Sequence, residues 1–372
     1  MTRLKGFWQR VTDGMELNQL WKQFQADARS SYRLYSREVD SSRTPGTGKG
    51  RHFINVATQF FWTIIEKLTP ARRVLLLIAL VFLFTNIDSS WQGSNGNVRA
   101  IWFGGPFWGG LLLLALLVLE VADRVVMKRD LQIAKEIQTW LLPANPPQVP
   151  GLEIAFATRP ANTVAGDYYD VFLRPAENGA ADTFLIAVAD VAGKSVPAAM
   201  LMATFQASLK TLARTPGSLT DLVSRMNTYA CSNSQNGRRF TTTFIAEYDP
   251  SSRMLTYVNA GHNPPILRRR GGTIEHLGVG GVPLGIKEDL PYESGAVTLE
   301  HGDWMVIFTD GVTEAEDSYA REYGEARLLT VINAYAAVTP QELLNTIMRD
   351  LDRFVGDAPQ HDDVTLLLLK AN

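Results

Sequence analysis

Acidic residues recur where β-type runs of this 372-residue chain end or begin, each beside a glycine or another turn former. The first set is Val164-Ala-Gly-Asp167-Tyr-Tyr-Asp170. The second is Ala187-Val-Ala-Asp190-Val-Ala-Gly-Lys-Ser195, at the close of a fully apolar run. The third is Ile307-Phe-Thr-Asp310-Gly311, and the fourth is His361-Asp362-Asp363-Val-Thr365, which leads into the last apolar run. A carboxylate at the end of a buried strand is costly unless it is paired or bound to a cation. Taken singly, each site fits the ordinary preference of Asp for turns and helix caps. Four together, with no matching basic residues beside them, point instead to hard divalent metals held through oxygen.

Other chemistries fit less well. Ala192-Gly-Lys-Ser195 after an apolar run resembles a phosphate-binding P-loop, but that motif needs a glycine at the place of Val188. Pro197 suits a helix start better than a phosphate cradle. The lone cysteine, Cys231, has Gly237 where a cysteine phosphatase would carry its arginine, and Arg238 comes one position late. No neighbour explains an activated thiolate there. Ser195 lacks the Gly-x-Ser-x-Gly elbow of a serine hydrolase. His262, in Asn259-Ala-Gly-His-Asn-Pro-Pro265, reads as a turn residue with a structural hydrogen bond. His361 reads as solvated, or as orienting Asp362.

The elements that must position these aspartates follow from residue patterning. Strands are expected over residues 152–159, 168–173, 183–189, 241–248, 254–259, 304–309 and 364–369. Helices are expected over 197–213, 219–232, 325–336 and 341–354. Hairpin-like strand pairs from distant parts of the chain predict an α+β class with antiparallel sheets flanked by helices, not a doubly wound sheet.

The rest of the chain is organised differently. Residues 1–99 carry 14 Lys/Arg against 7 Asp/Glu, whereas residues 100–372 carry 22 against 31. The head is basic and the body acidic, and the net charge of −2 gives no general nucleic-acid-binding surface. Residues 1–70 read as a cytoplasmic, partly disordered N-terminal segment with a Ser/Thr/Gly-rich stretch at 41–50. Two uncharged apolar runs follow, residues 74–87 and 100–119. The second, at 20 residues, would make about 30 Å of helix, a full bilayer core. Trp91, Trp102 and Trp108 stand where an aromatic belt would lie, and Lys67, Arg72, Arg73, Arg124, Lys128 and Arg129 flank the pair. These features predict a membrane hairpin over 71–120, with spans near 72–88 and 100–120. Positive flanks place it as a multi-pass protein of the inner membrane with its catalytic domain in the cytoplasm. Residues 121–150 continue as a helical linker. Val126, Ile133, Ile137 and Trp140 form its stripe, suited either to a coiled-coil dimer or to packing on the next domain. Prolines 143, 146, 147 and 150 end it and open the domain 151–372.

As an ordered set, these motifs resemble the PPM (type 2C) metal-dependent serine/threonine phosphatases, in particular the stage II sporulation protein E and RsbU-like sigma-regulator phosphatases. The resemblance begins at Ala134-Lys-Glu-Ile-Gln-Thr-Trp-Leu-Leu-Pro143. It runs through the four aspartate motifs, Asn-Ala-Gly-His-Asn-Pro-Pro, Pro283-Leu-Gly-Ile286 and Thr-Asp-Gly-Val-Thr-Glu-Ala, to about Leu369. It implies a four-layer α/β/β/α sandwich of two antiparallel sheets and a site for two Mn²⁺ or Mg²⁺ ions. By resemblance Asp190 bridges both ions. The Val191 carbonyl and Asp167 serve the second ion, and Asp310 and Asp362 serve the first. Asp363 and Asp170 belong to the outer shell. Asp190 and Asp310 are the catalytic aspartates of this reading.

Phosphate-monoester hydrolysis is extremely slow unaided. Two cations about 3.5–4 Å apart can activate water and clamp the phosphoryl oxygens during in-line displacement. The implied substrate is a phosphoserine or phosphothreonine on a partner protein, an anti-sigma-factor antagonist of the STAS type. Segments 197–213 and 219–232 resemble the switch helices that an upstream rod controls, and the implied assembly is a homodimer. A catalytically silent signalling scaffold of the same fold is the alternative. Ala165 and Ser195 replace customary glycines. The stretch 191–193 lacks the histidine that eukaryotic relatives place there, so no general acid is assigned. Arg159 is the only candidate considered for phosphate binding, and a surface role is its plainer reading.

Overall fold

The computed structural model describes residues 68–85, 104–175, 182–234, 239–335 and 338–372, together with 62, 65 and 66. Most of the N-terminal segment, Trp91 and Trp102 lie outside them. The chain divides into two compact units, residues 1–125 and 126–372.

In the first unit, helix α1 (Pro70–Phe84) lies against the start of helix α2 (Gly105–Leu141). The two backbones meet closely at Gly109, where a Cβ would come within 2.8 Å of the Ala79 carbonyl oxygen and 2.9 Å of Leu83 N. Arg72 joins them at the charged end, 3.2 Å from Glu120 and 2.6 Å from Asp123. The expected inner-membrane, multi-pass placement is not supported, because no helix among the described residues is long and apolar enough to cross a membrane. Helix α1 has 15 residues, or about 22 Å. Helix α2 begins at Gly105, five residues into the second apolar run, and meets Glu120 after a similar distance. Neither apolar stretch matches a hydrocarbon core of about 30 Å.

In the second unit the elements after α2 are β1 (Leu152–Arg159), β2 (Tyr168–Arg174), β3 (Thr183–Val191), α3 (Ser195–Leu212), α4 (Leu219–Ser232), β4 (Thr241–Asp249) and β5 (Met254–Ala260). Four short strands follow: β6 (Ile266–Arg268), β7 (Ile274–His276), β8 (Gly280–Gly281) and β9 (Gly295–Thr298). The chain closes with β10 (Trp304–Phe308), α5 (Asp310–Thr313), α6 (Glu325–Ala334), α7 (Pro340–Val355) and β11 (Val364–Ala371). The strands form a five-stranded sheet, β1-β11-β10-β6-β7, and a six-stranded sheet, β2-β3-β4-β5-β8 with β9 also on β5. Pairing is antiparallel except for β8, which runs parallel to β5.

Three apolar clusters explain why the central strands read as unbroken hydrophobic runs. Successive side chains on a strand point to opposite faces. Ile186 and Val188 of β3 therefore join Leu367 and Leu369 of β11 in the cluster between the sheets. Leu185, Ala187 and Ala189 turn the other way, against Met202 and Leu209 of α3 and Val223 of α4. Likewise Leu366 and Leu368 of β11 face Leu328 of α6 and Leu344 and Ile347 of α7. Both central strands are covered on both faces, which antiparallel sheets need not be. Capping boxes set the starts of α4 (Ser218 with Asp221) and α7 (Thr339 with Glu342).

The turn into α3 carries strain. Ser195, at one of the customary glycine positions, has φ +64°. A left-handed conformation disfavours side chains with a Cβ by about 1 kcal/mol. Ser195→Gly is expected to raise stability by about 0.5 kcal/mol, less than the strain because glycine also loosens the unfolded chain. A urea midpoint that falls instead would show the serine hydroxyl to be compensated.

Candidate active site

Sheet register brings the aspartate motifs together two by two. In the six-stranded sheet, Tyr168 pairs with Ala189, so Asp167, just before β2, adjoins Asp190 near the end of β3. In the five-stranded sheet, Phe308 pairs with Leu366, so Asp310, two residues after β10, meets Asp362 and Asp363 ahead of β11. The two pairs then face one another. The carboxylate of Asp190 feels the negative charges of Asp310, Asp362 and Asp363.

The electrostatics follow. Burial, and then those three charges, push Asp190 up to about 7. Asp167 is raised well above the usual carboxylate range by burial first and by Asp190 second. Burial and Asp362 raise Asp310. Burial raises Asp363 too, opposed by the N–H groups it accepts. A cluster of this kind is costly as it stands and suits a multivalent cation. The donors are all carboxylate or carbonyl oxygens, the set that Mn²⁺ and Mg²⁺ prefer. Among the described residues, however, no three acidic, histidine or cysteine side chains are arranged to hold one ion as placed. Several of the carboxylates have protein partners instead. Asp167 Oδ2 accepts from Thr309 Oγ1 at 2.9 Å. Asp362 Oδ2 lies 3.0 Å from Lys194 Nζ.

The Val191 carbonyl stands by the Asp167 turn, since a Cβ on Gly166 would lie 3.1 Å from its oxygen. Asp363 accepts from Ala161 N at 2.7 Å and Gly166 N at 2.6 Å, clamping the segment before Asp167. Asp170 stands apart from the cluster. It is buried, 2.7 Å from Lys210 Nζ and 2.9 Å from the Tyr168 hydroxyl, and it ties β2 to α3. Arg159 is ion-paired with Asp352. It shares with Lys194, Glu314, Glu322, Gln360, His361 and Asp362 the lining of a cavity of about 180 Å³.

Several supporting residues carry no sequence signal of their own. Thr309 Oγ1 also accepts from Thr365 N at 3.0 Å, linking β10 and β11 just where the acidic groups begin. Gln138, buried on α2, makes a two-way amide pair with Ala165: its Nε2 donates to the Ala165 carbonyl at 2.7 Å, and its Oε1 accepts from Ala165 N at 2.9 Å. The leading helix therefore grips the residue two before Asp167. Only its place in the first resembling motif marked Gln138 in the sequence.

His262 takes the structural part expected of it. Its backbone N–H donates to Asn259 Oδ1 at 2.7 Å, and its ring Nδ1 lies 3.2 Å from Thr242 Oγ1. Burial lowers its pKa from 6.5 to about 4, with the Phe308 carbonyl opposing. The unfolded chain takes up this proton first as pH falls. The neutral histidine's contribution is therefore complete above pH 6.5 and is lost toward pH 4, by about 3 kcal/mol. Urea unfolding at pH 7 and pH 4 should show this loss, and His262→Gln should remove that part of it. An unchanged pH dependence in the variant would place the acid sensitivity elsewhere.

Comparison with known proteins agrees with this arrangement. The family profile described as "Stage II sporulation protein E (SpoIIE)" matches residues 180–372. The chain is 31% identical over 247 residues to the phosphoserine phosphatase RsbU of Bacillus subtilis (strain 168), covering 66% of this chain and 70% of that protein. It is 28% identical over 287 residues to protein IcfG of Synechocystis, covering 69% of this chain but only 44% of that protein. Among solved structures, the SiaA-PP2C domain of Pseudomonas aeruginosa superposes with a TM-score of 0.56 at 22% identity. That match covers 68% of this chain and 99% of the domain, a likeness of fold.

Proposed function

The chain belongs to the stage II sporulation protein E family and is a serine/threonine phosphatase of the PP2C type; from that premise we propose that it hydrolyses phosphoserine or phosphothreonine on a partner protein with two Mn²⁺ or Mg²⁺ ions. The proposed partner class is the STAS-type antagonist of an anti-sigma factor that the resemblance of the motifs implies. The observation that carries the proposal is the convergence of the half-buried Asp190 with Asp167, Asp310, Asp362 and Asp363, where desolvation and like charge push the Asp190 pKa up to about 7.

In this reading Asp190 would serve both ions, Asp310 and Asp362 would hold the first, and Asp167 with the Val191 carbonyl would hold the second. When bound, the ions supply Lewis acidity for water activation and offset charge on the phosphoryl oxygens. The chain's own part is positional. Asp363 fixes the turn carrying Asp167 through Ala161 N and Gly166 N. Thr309 orients the Asp167 carboxylate and keeps β10 and β11 in step.

Control from upstream is part of the proposal. Ile133, Ile137 and Trp140 of α2 are exposed, and a second copy of the chain covering this stripe would make a dimer. Through Gln138 the same helix reaches Ala165 and the Asp167 turn. A chain beginning at residue 143 should then turn over more slowly and lose the dimer. Equal turnover and equal mass would end the coupling idea.

The direct test is phosphoserine-peptide hydrolysis by the full chain. Turnover should appear with Mn²⁺ and vanish with EDTA. Turnover that survives EDTA overturns the metal mechanism. A folded protein that binds Mn²⁺ without turnover would leave the silent scaffold.

A further inference from the structure

The Gly193-Lys194-Ser195 turn lacks the glycine a nucleotide cradle needs, yet it aims a cation into the acidic cluster. Lys194 Nζ is 3.0 Å from Asp362 Oδ2 and donates to the His361 carbonyl at 2.5 Å. The other oxygen of that carboxylate, Oδ1, accepts from Asp363 N at 2.9 Å. Both oxygens of Asp362 are thus engaged by the protein. The lysine's charge also reaches Asp310 and Glu314, pulling each down against the burial that raises it.

We propose that Lys194 is a tethered cation that competes with a divalent ion for Asp362, so that loading this carboxylate requires the ammonium to leave it. The proposal rests on reading Asp362 as an ion ligand. The exchange moves no proton and no electron pair: one ion pair and one hydrogen bond break, and a cation–carboxylate contact forms. The side chain can make the move, because it is 54% exposed and hangs on a flexible four-carbon stem. It also has somewhere to go. The cavity it lines carries Glu314, Glu316 and Glu322 on its wall.

A half-exposed lysine–carboxylate pair is weak, so a divalent ion wins at sufficient concentration. What the lysine sets is the threshold. Where Asp362 is engaged by Lys194, the first ion's ligand set is one oxygen short, which makes the lysine a positioning residue for ion loading.

The test is calorimetric titration of the full chain with Mn²⁺ alone, alongside thermal unfolding with and without Mn²⁺. Lys194→Met is expected to bind Mn²⁺ roughly three- to tenfold more tightly than wild type. It should reach a given rise in melting temperature at correspondingly lower Mn²⁺. Arg159→Met removes the same charge from the same cavity, but from a side chain paired with Asp352 instead of Asp362. It should stay within about twofold of wild type. Unchanged or weaker binding by Lys194→Met overturns the exchange, as does equal tightening in both variants. Mn²⁺ binding to none of the three proteins would overturn the two-ion reading and this inference with it. Binding to all three with equal affinity removes this inference alone.

Discussion

Asp190→Asn is expected to lower Mn²⁺-dependent phosphoserine hydrolysis by on the order of a thousandfold or more, while making the chelator-treated protein harder to unfold. The two effects have one cause. Asp190 is the side chain on which the two halves of the cluster converge, with Asp167 beside it in one sheet and Asp310, Asp362 and Asp363 facing it from the other. Half-buried there with its pKa pushed up to about 7, it carries when ionised a native-state penalty of about 2–4 kcal/mol near pH 8. Asparagine has the same shape and no charge, and its amide can donate to the Asp167 carboxylate. The variant therefore sheds repulsion without opening a cavity. It also sheds the donor that both ions share in the proposed mechanism.

Two measurements separate the effects. In EDTA the variant should melt above wild type. In Mn²⁺ wild type should gain stability in proportion to ion occupancy, and the variant should gain little. A variant less stable than wild type in EDTA would contradict the charge argument, and one that keeps its turnover would contradict the mechanism.

The reach of the sequence stops where geometry becomes non-local. Strands β3 and β11 were legible because each is buried on both faces, which leaves an unbroken apolar run ending or beginning beside an aspartate. Antiparallel pairing then makes Asp167 a neighbour of Asp190, and Asp310 a neighbour of Asp362, so strand ends sufficed to nominate the cluster. What holds the cluster was not legible. Thr309 reaches Asp167 across 142 positions, and nothing in a Phe-Thr-Asp-Gly string tells a hydroxyl which carboxylate it will meet. Lys194 is the sharper case. Its Gly-Lys-Ser setting only partly resembles a nucleotide loop, and the sequence shows no basic residue matched to the aspartates, yet its ammonium lies on Asp362. The short strands β6 to β9 are too brief for period-two alternation to register. The membrane expectation failed for a related reason. Counting apolar residues gives the length of a run, whereas a span depends on how much of that run the helix carries, and α2 starts late and turns charged at Glu120.

Gly311→Ala is expected to be severely damaging to both stability and turnover. A Cβ at this position would lie 2.0 Å from the Asp363 carbonyl oxygen and 2.8 Å from its carbon. Neither side can give way cheaply. The Asp363 carboxylate is held by Ala161 N and Gly166 N, and its own N–H by Asp362 Oδ1. On the other side, Thr309 N is fixed to the Thr365 carbonyl at 3.1 Å, and α5 starts at Asp310 itself. The added carbon must therefore push Asp310 away from Asp362 or pull β10 from β11. Overpacking against backbone costs about 3 kcal/mol or more. A displacement of about 1 Å between the ligands expected for one ion should lower turnover about a hundredfold. Gly271→Ala is the matched control, because nothing lies within 4 Å of its added carbon; it should leave stability within about 0.5 kcal/mol and turnover unchanged. Urea unfolding and Mn²⁺-dependent hydrolysis of the two variants decide the matter. If Gly311→Ala matched Gly271→Ala in both, the Asp310 and Asp362 segments would not be in the tight apposition that the proposed first-ion site requires.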